Sequence, residues 1–500
     1  MAFNSMNFLL FMPLVVLIYF ALPLKIRYIW LLLASYFFYM CWNPKYIVLL
    51  LFATVVSYLC GLLLEWVQKK CTTDRTAQLL KKWIVAGGIC ANLGMLAFFK
   101  YYDFAFQTLE ELLLPFGIQI HVSPQKYLLP VGISFYTFQV VGYMIDVYRQ
   151  EVKAEKNFFR YALFVSFFPQ IGSGPIARAK NLLKQMQIPT RFDLQNVRYG
   201  LLTMAYGLFL KLVIADRIAE IINPVMEDYE QYHGMQLILC VVLFGIQIYC
   251  DFHGYTQIAI GSARVLGYHL QENFNAPYLS SNVKTFWRNW HISLTSWFTD
   301  YLYIPLGGNR KGAVRKYINV MVVFLCSGLW HGASWSFVIW GGLNGLYLVL
   351  YEFIHPWWEK AKYRLRINQD AKCWKGLTRI ITFLLVDYAW LYFLAGTLNT
   401  ALGIQRKIAG DFFLPYLLSN NLWNIVPDNI EMIVLLASLL ILFGTDYLHY
   451  KGVDWKAAIL KQQLVFRWMI YMGLFLILIF YGVYGTGYET KAAQFIYFKF

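Results

Sequence analysis

The 500-residue chain is 59% hydrophobic and only 14% charged, where soluble domains run near one quarter charged. Its length alone would permit two or three soluble domains, but repeated apolar runs of about 20 residues set that reading aside. The net charge of +16 is carried by Lys and Arg lying between those runs, which is the pattern of basic loops at an anionic membrane surface and not of a nucleic-acid-binding domain.

In chain order, apolar spans are expected near 7–23, 28–42, 45–67, 83–101, 128–148, 199–222, 235–252, 316–332, 334–355, 376–397, 431–448 and 466–486. This gives about 12 crossings by the 20-residue criterion. The first run has no basic flank and no small-residue cleavage site before it ends, so it reads as a retained span rather than a signal peptide. The stretches 157–175 and 284–306 are apolar but broken by Pro, Gly and charges. They are expected to be re-entrant or interfacial, because irregular backbone at membrane depth must be buried in protein or line a cavity. Within 199–222, the spacing of Lys211, Asp216, Arg217 and Glu220 predicts an intramembrane ion pair.

The loops alternate in charge. The stretch 68–82 carries Lys69, Lys70, Arg75, Lys81 and Lys82, while 102–126 carries Asp103, Glu110 and Glu111 against Lys126. The stretch 149–160 is basic again, 223–234 is acidic, and 284–316, 356–379 and 449–467 are rich in Lys and Arg. Basic loops belong in the cytoplasm, so both termini are expected on the outer face of the membrane. The eight cysteines are scattered with no metal-ligand spacing, and no metal is expected. One integral membrane domain is expected over 1–486, followed by an aromatic tail over 487–500.

Polar groups at membrane depth are costly and therefore informative. Three blocks concentrate them. In the first, Asp251 and His253 stand at the end of the expected 235–252 span, where they form either a site wall or a capped helix end. The second runs from Phe286 to Arg310 and holds Arg288, Asn289, Trp290, His291, Ser293, Asp300 and Arg310, with Lys311 following. It is too polar to span and too aromatic for a solvated loop, so it is either an interfacial anchor or part of a ligand channel. The third, Ser327 to Trp335, places Trp330 and His331 among Gly and Ala between two apolar runs. A His can take a proton from a hydroxyl near neutral pH, and small neighbours leave room for a substrate. No phosphate-binding P-loop, dinucleotide fingerprint, zinc-protease helix or nucleophile elbow is present.

Together, Pro130 to Gln139, Phe167 to Pro175, Asp251 to Tyr255, Asn273 to Tyr278, Phe286 to Arg310 and Leu329 to Gly332 make the chain resemble the membrane-bound O-acyltransferase superfamily. The resemblance is to its bacterial branch, whose members acetylate alginate or peptidoglycan or transfer D-alanine to teichoic acid. It implies an all-α polytopic fold with 11–12 transmembrane helices and re-entrant pieces around a central funnel. It implies catalysis by His331, with His291 as the second functional His. His253 departs from the small residue expected of relatives. The C-terminal Phe495 to Phe500 resembles the aromatic tail of acetylating members, with Tyr497 as a candidate acyl carrier and Lys499 where a Gln is expected.

The resemblance further implies an acyl thioester donor, acetyl-CoA, and an extracytoplasmic partner transferase of the SGNH type. The acceptor it implies is an envelope or secreted polysaccharide. Arg288, Arg310 or Lys311 would steer the donor's phosphates. D-alanyl transfer from a carrier protein is the alternative within the enzyme class. A transporter or lipid flippase and a non-catalytic membrane scaffold are the alternatives outside it.

Overall fold

The computed structural model describes residues 1–70, 75–118, 129–172, 174–484 and 495–496, and among these every regular element is helical. Eight helices are long and apolar enough to cross a membrane: Pro44–Lys70, Arg75–Phe116, Gly234–Val265, Ala313–His331, Trp335–Arg364, Lys372–Ala395, Asn429–Tyr450 and Leu464–Tyr481. Each coincides with an expected span. The other expected spans fall on shorter or interrupted helices, namely Met6–Ala21, Arg27–Met40, Ile133–Tyr148 and the pieces between 194 and 227. The chain is a multi-pass membrane protein.

Packing divides the chain into two compact units, Met1–Met204 with Ile258–Gln271, and Ala205–Gln257 with Glu272–Phe500. In the first, Pro44–Lys70 packs on Arg75–Phe116 and Ile133–Tyr148. Two pairs of polar side chains satisfy one another inside it. Tyr161 donates to Ser57 Oγ at 2.7 Å, and Gln170 Nε2 donates to Gln139 Oε1 at 2.8 Å. Such pairing is what a low-dielectric interior requires of a polar group. The region read as re-entrant is broken into the short helices Phe158–Ser166 and Phe168–Ile171.

Two expectations are corrected here. Asp103, Glu110 and Glu111 do not form a loop: they ride on a single helix, Arg75–Leu113, of 39 residues. The Asp251–His253 block does not end a span either. It lies inside the 32-residue helix Gly234–Val265, about 26 Å from its start at 1.5 Å per residue. The helix continues through an aspartate at this depth because Lys211 meets the charge, with Nζ 2.6 Å from Asp251 Oδ1.

In the second unit, Lys211 sits in the wide turn Phe209–Ala215, hydrogen-bonded i to i+5. That winding brings residue 216 over residue 211, and Asp216 Oδ1 lies 2.7 Å from Lys211 Nζ. The expected intramembrane ion pair is present, and Asp251 is a second acid on the same lysine. Arg217 pairs instead with Glu431. The Gly234–Val265 helix can approach this turn because Gly254 has no side chain: a Cβ there would lie 2.7 Å from the Gly207 carbonyl oxygen. The Leu464–Tyr481 helix packs on the Phe209–Ala215 turn, but no residue of it is buried, and so much apolar helix surface left uncovered by protein needs lipid.

Candidate active site

The Ala313–His331 and Trp335–Arg364 helices form a tight hairpin in the second unit. Gly328 and Gly341 let the two backbones touch. A Cβ on Gly341 would stand 3.2 Å from Gly328 Cα and closer still to the Phe324 carbonyl oxygen. Small residues at a helix crossing are the means by which membrane helices reach this separation. The hairpin begins its turn at His331, the last residue of its helix. The imidazole is held among rings: Trp340 at 5.0 Å between centroids, Phe393 at 5.3 Å and Trp330 at 4.9 Å, all steeply inclined to it.

His291 is seated differently. It begins the short helix Ile292–Phe298 with φ 45° and ψ 54°, a left-handed conformation that is uncommon for a residue with a side chain. Asn273 braces the two residues that follow His291. Its backbone carbonyl accepts the Ile292 N–H at 2.9 Å, and its side-chain Oδ1 accepts the Ser293 N–H at 3.2 Å. The Asn289 carbonyl in turn accepts the Asn275 N–H at 3.0 Å. Phe252 meets the imidazole edge-on at 4.6 Å, and burial pushes its pKa down from 6.5 to about 3. The ring is therefore neutral at physiological pH.

His291 and His331 line the same cavity, of about 320 Å³. Both lie against the indole of Trp330, with ring centroids at 6.0 and 4.9 Å. The wall is largely apolar, with Leu294, Phe298, Val320, Val323, Phe324 and Leu348, and carries the hydroxyls of Thr295 and Ser327. Two cations, Lys284 and Arg288, belong to the lining as well. Lys284 is tied to Glu352 at 2.9 Å, and the same carboxylate also pairs with Lys316. An apolar pocket with a few convergent polar groups and a buried neutral imidazole is the usual form of a small-molecule site.

Of the residues singled out by sequence, the structure gathers Arg288, Trp290, His291 and His331 on this lining. Trp330 stands behind the two imidazoles. Ser293 and Asn289 are beside His291 in chain, with Asn289 Nδ2 donating to Ser280 Oγ at 3.3 Å. Asp300 lies in the following turn Thr299–Tyr303. Arg310 and Lys311 are exposed and line no part of the cavity. Asp251 and His253 are buried away from it, His253 stacking on Tyr249 at 5.3 Å. Tyr497 and Lys499 lie outside the described residues. No cluster that could hold a metal occurs among the described residues.

Sequence reading missed Lys284 and Trp287. Lys284 stands four residues before Arg288, which on a helix is the same face, so spacing would have found it. The buried Nε1–H of Trp287 has no hydrogen-bond partner among the described residues, and nothing in the sequence signals that.

The sequence model of the membrane-bound O-acyltransferase family matches residues 147–395, which include both histidines and the whole cavity lining. A probable alginate O-acetylase of Azotobacter vinelandii is 36% identical over 402 residues, covering 80% of this chain and 76% of its own length. The chain belongs to the membrane-bound O-acyltransferase family. The peptidoglycan O-acetyltransferase of Helicobacter pylori is 34% identical over 408 residues, 76% of this chain and 73% of the relative. The teichoic acid D-alanyltransferase of Bacillus subtilis is 29% identical over 286 residues, 55% of this chain and 71% of the relative. As a member of this family the protein is an acyl-donor-dependent O-acyltransferase, and the higher identity and coverage of the acetylating relatives favour acetyl over D-alanyl transfer.

Proposed function

We propose that the protein transfers acetyl from acetyl-CoA to a hydroxyl, with His331 as general base, and that the product serves acetylation of an envelope or secreted polysaccharide. The observation that carries this reading is the single cavity on whose wall His331, His291 and the cations Lys284 and Arg288 all stand. The apolar wall suits a short acyl chain, and the two cations suit the phosphates of the donor.

The acceptor hydroxyl gives its proton to the His331 imidazole as its oxygen attacks the thioester carbonyl. The new C–O bond forms, the C–S bond breaks, and the departing thiolate takes the proton from His331 to leave as CoA-SH. His291, neutral at physiological pH, positions donor or acceptor or stabilises the developing oxyanion. The acceptor in this reading is the phenol of Tyr497, giving an acyl-tyrosine on the outer face. An extracytoplasmic partner transferase of the SGNH type then moves the acetyl group to a sugar hydroxyl. The charge alternation of the loops supports placing both termini outside. Transport and flippase activity are set aside by family membership. A carrier-protein donor remains the competing chemistry.

The test is thioester turnover by purified protein in nanodiscs with radiolabelled acetyl-CoA, beside His331→Ala. Label on the wild-type chain that is absent from the variant supports the reading, and digestion assigns the label to Tyr497 or elsewhere. Release of CoA that is equal in both proteins would sink His331 as the base. Absence of both label and free CoA would sink acetyl-CoA as the donor and turn the search to a carrier-protein thioester.

A further inference from the structure

The buried ion triad of the second unit takes no part in the chemistry above, yet it reaches the end of the chain. Lys211 Nζ is shared between Asp216 and Asp251, and all three side chains are 3% exposed or less. Lys211 meets only one oxygen of each carboxylate, so Asp251 keeps a second oxygen free to accept another donor. The second oxygen of Asp251, Oδ2, accepts the backbone N–H of Ile496 at 2.7 Å. The two groups are 245 residues apart in sequence.

The ring beside that amide is held as well. Phe495 is 2% exposed and stacks on Tyr255 with centroids 4.3 Å apart and planes inclined by 28°. It also stands 6.0 Å from the ring of Phe252. Asp251, Phe252 and Tyr255 lie within about one turn of a single helix, so one patch supplies the acceptor and both rings. Phe252 is the residue that meets His291 edge-on at 4.6 Å. The tail is thus one ring removed from the second histidine of the cavity.

We propose that the Lys211–Asp216–Asp251 triad is a latch for the C-terminal segment, and that Asp251 and Phe495 are positioning residues that hold the chain at Phe495 and Ile496, next in sequence to the relay candidate Tyr497. The inference rests on the relay reading above only for its consequence; the latch itself stands on the described contacts of Phe495 and Ile496. The triad supplies the directional half of the hold, through a charge-assisted hydrogen bond. The stacked ring supplies the other half.

The experiment is amide hydrogen exchange read by mass spectrometry on the full chain in nanodiscs, followed by acetyl labelling of the same samples. In the wild type the Ile496 amide should exchange at least about 10-fold more slowly than in a free peptide of the same sequence, as expected for a bond to a charged acceptor. Phe495→Ala leaves the triad intact and should abolish that protection while leaving exchange of the Gly234–Val265 helix unchanged. Asp251→Asn, which keeps an oxygen at the site but removes the charge, should lose it in part. Exchange of Ile496 at the free-peptide rate in the wild type would overturn the latch. Full acetyl labelling of Tyr497 in Phe495→Ala would also overturn the latch as a positioning device while leaving the relay standing. Protection of Ile496 in a protein that turns over thioester but never labels Tyr497 would overturn the relay and leave the latch.

Discussion

The two histidines of the cavity are held by opposite means. His331 is placed by packing: a glycine-mediated helix hairpin brings its helix to an end among Trp330, Trp340 and Phe393. His291 is placed by hydrogen bonds that hold a left-handed backbone against its own preference, with Asn273 bonded to the residues that follow it. Residues in sparsely populated backbone regions persist only where their surroundings fix them. The difference suggests that a base needing one fixed position can be set by close packing, whereas a group that adjusts to donor or acceptor is set by bonds that can lengthen and re-form.

The largest expected effect is at His331. His331→Ala should lower thioester turnover by about 10³-fold, within the usual range for loss of a general base. A loss below about tenfold would mean that the proton goes elsewhere.

Perturbing the two seats themselves separates packing from bonding. Gly341→Val drives a branched side chain into the Phe324 carbonyl and should cost about 1–3 kcal/mol of stability. Asn273→Ala leaves the Ser293 N–H without its acceptor and should show mainly as lost turnover, because His291 can leave its strained conformation. Equal drops in melting temperature for the two variants would break the comparison.

At His291 the backbone conformation can be tested apart from the imidazole. His291→Ala and His291→Gly both remove the ring, and both should lower turnover by about 10²-fold if it supports the oxyanion. The Gly variant should be the more stable by about 1 kcal/mol, since only Gly adopts φ 45° freely. There is a pH signature too. The folded protein keeps this imidazole neutral down to about 3, whereas the unfolded chain protonates it near 6.5. The unfolded state therefore binds more protons in that window, and stability falls as pH drops from 6.5 toward 3. Melting curves of His291→Gly should be flatter over the same range.

The smallest effect is at Trp287. Its N–H has no partner among the described residues, so Trp287→Phe removes an unsatisfied donor and should leave stability unchanged or slightly raised. A several-fold loss of turnover would mark the indole as a substrate donor; unchanged turnover would leave it a packing residue beside Phe324 and Trp340.

The long spans are legible because their signal is local, an apolar run of sufficient length; the two histidines stand out among small or aromatic neighbours, but it is the family resemblance that separates them from structural imidazoles. What was not legible depends on partners distant in sequence. The expected end of the span at residue 252 reflects Asp251 and His253 lowering local hydropathy; the helix runs on to Val265 because Lys211, forty residues earlier, meets the charge. Carboxylates after residue 102 have the look of a membrane boundary and so of a loop, yet half-buried Asp103 and exposed Glu110 are compatible with a helix leaving the apolar layer. Only charge recommends Arg310 and Lys311 in the sequence, and charge does not report which side of a turn faces a cavity. Lys284, by contrast, was readable from its spacing to Arg288.

The helix that absorbed that acidic stretch has a practical consequence. At 39 residues it is about 58 Å long by its rise, nearly twice the roughly 30 Å of a bilayer's hydrocarbon layer. Even steeply inclined, it must carry turns into the headgroups or the water beyond them. A continuous rod that emerges from the lipid is a natural splice point for a helical fusion, and a rigid marker grafted in register there would give electron microscopy a feature to align on, for a protein otherwise hidden inside its detergent or lipid belt.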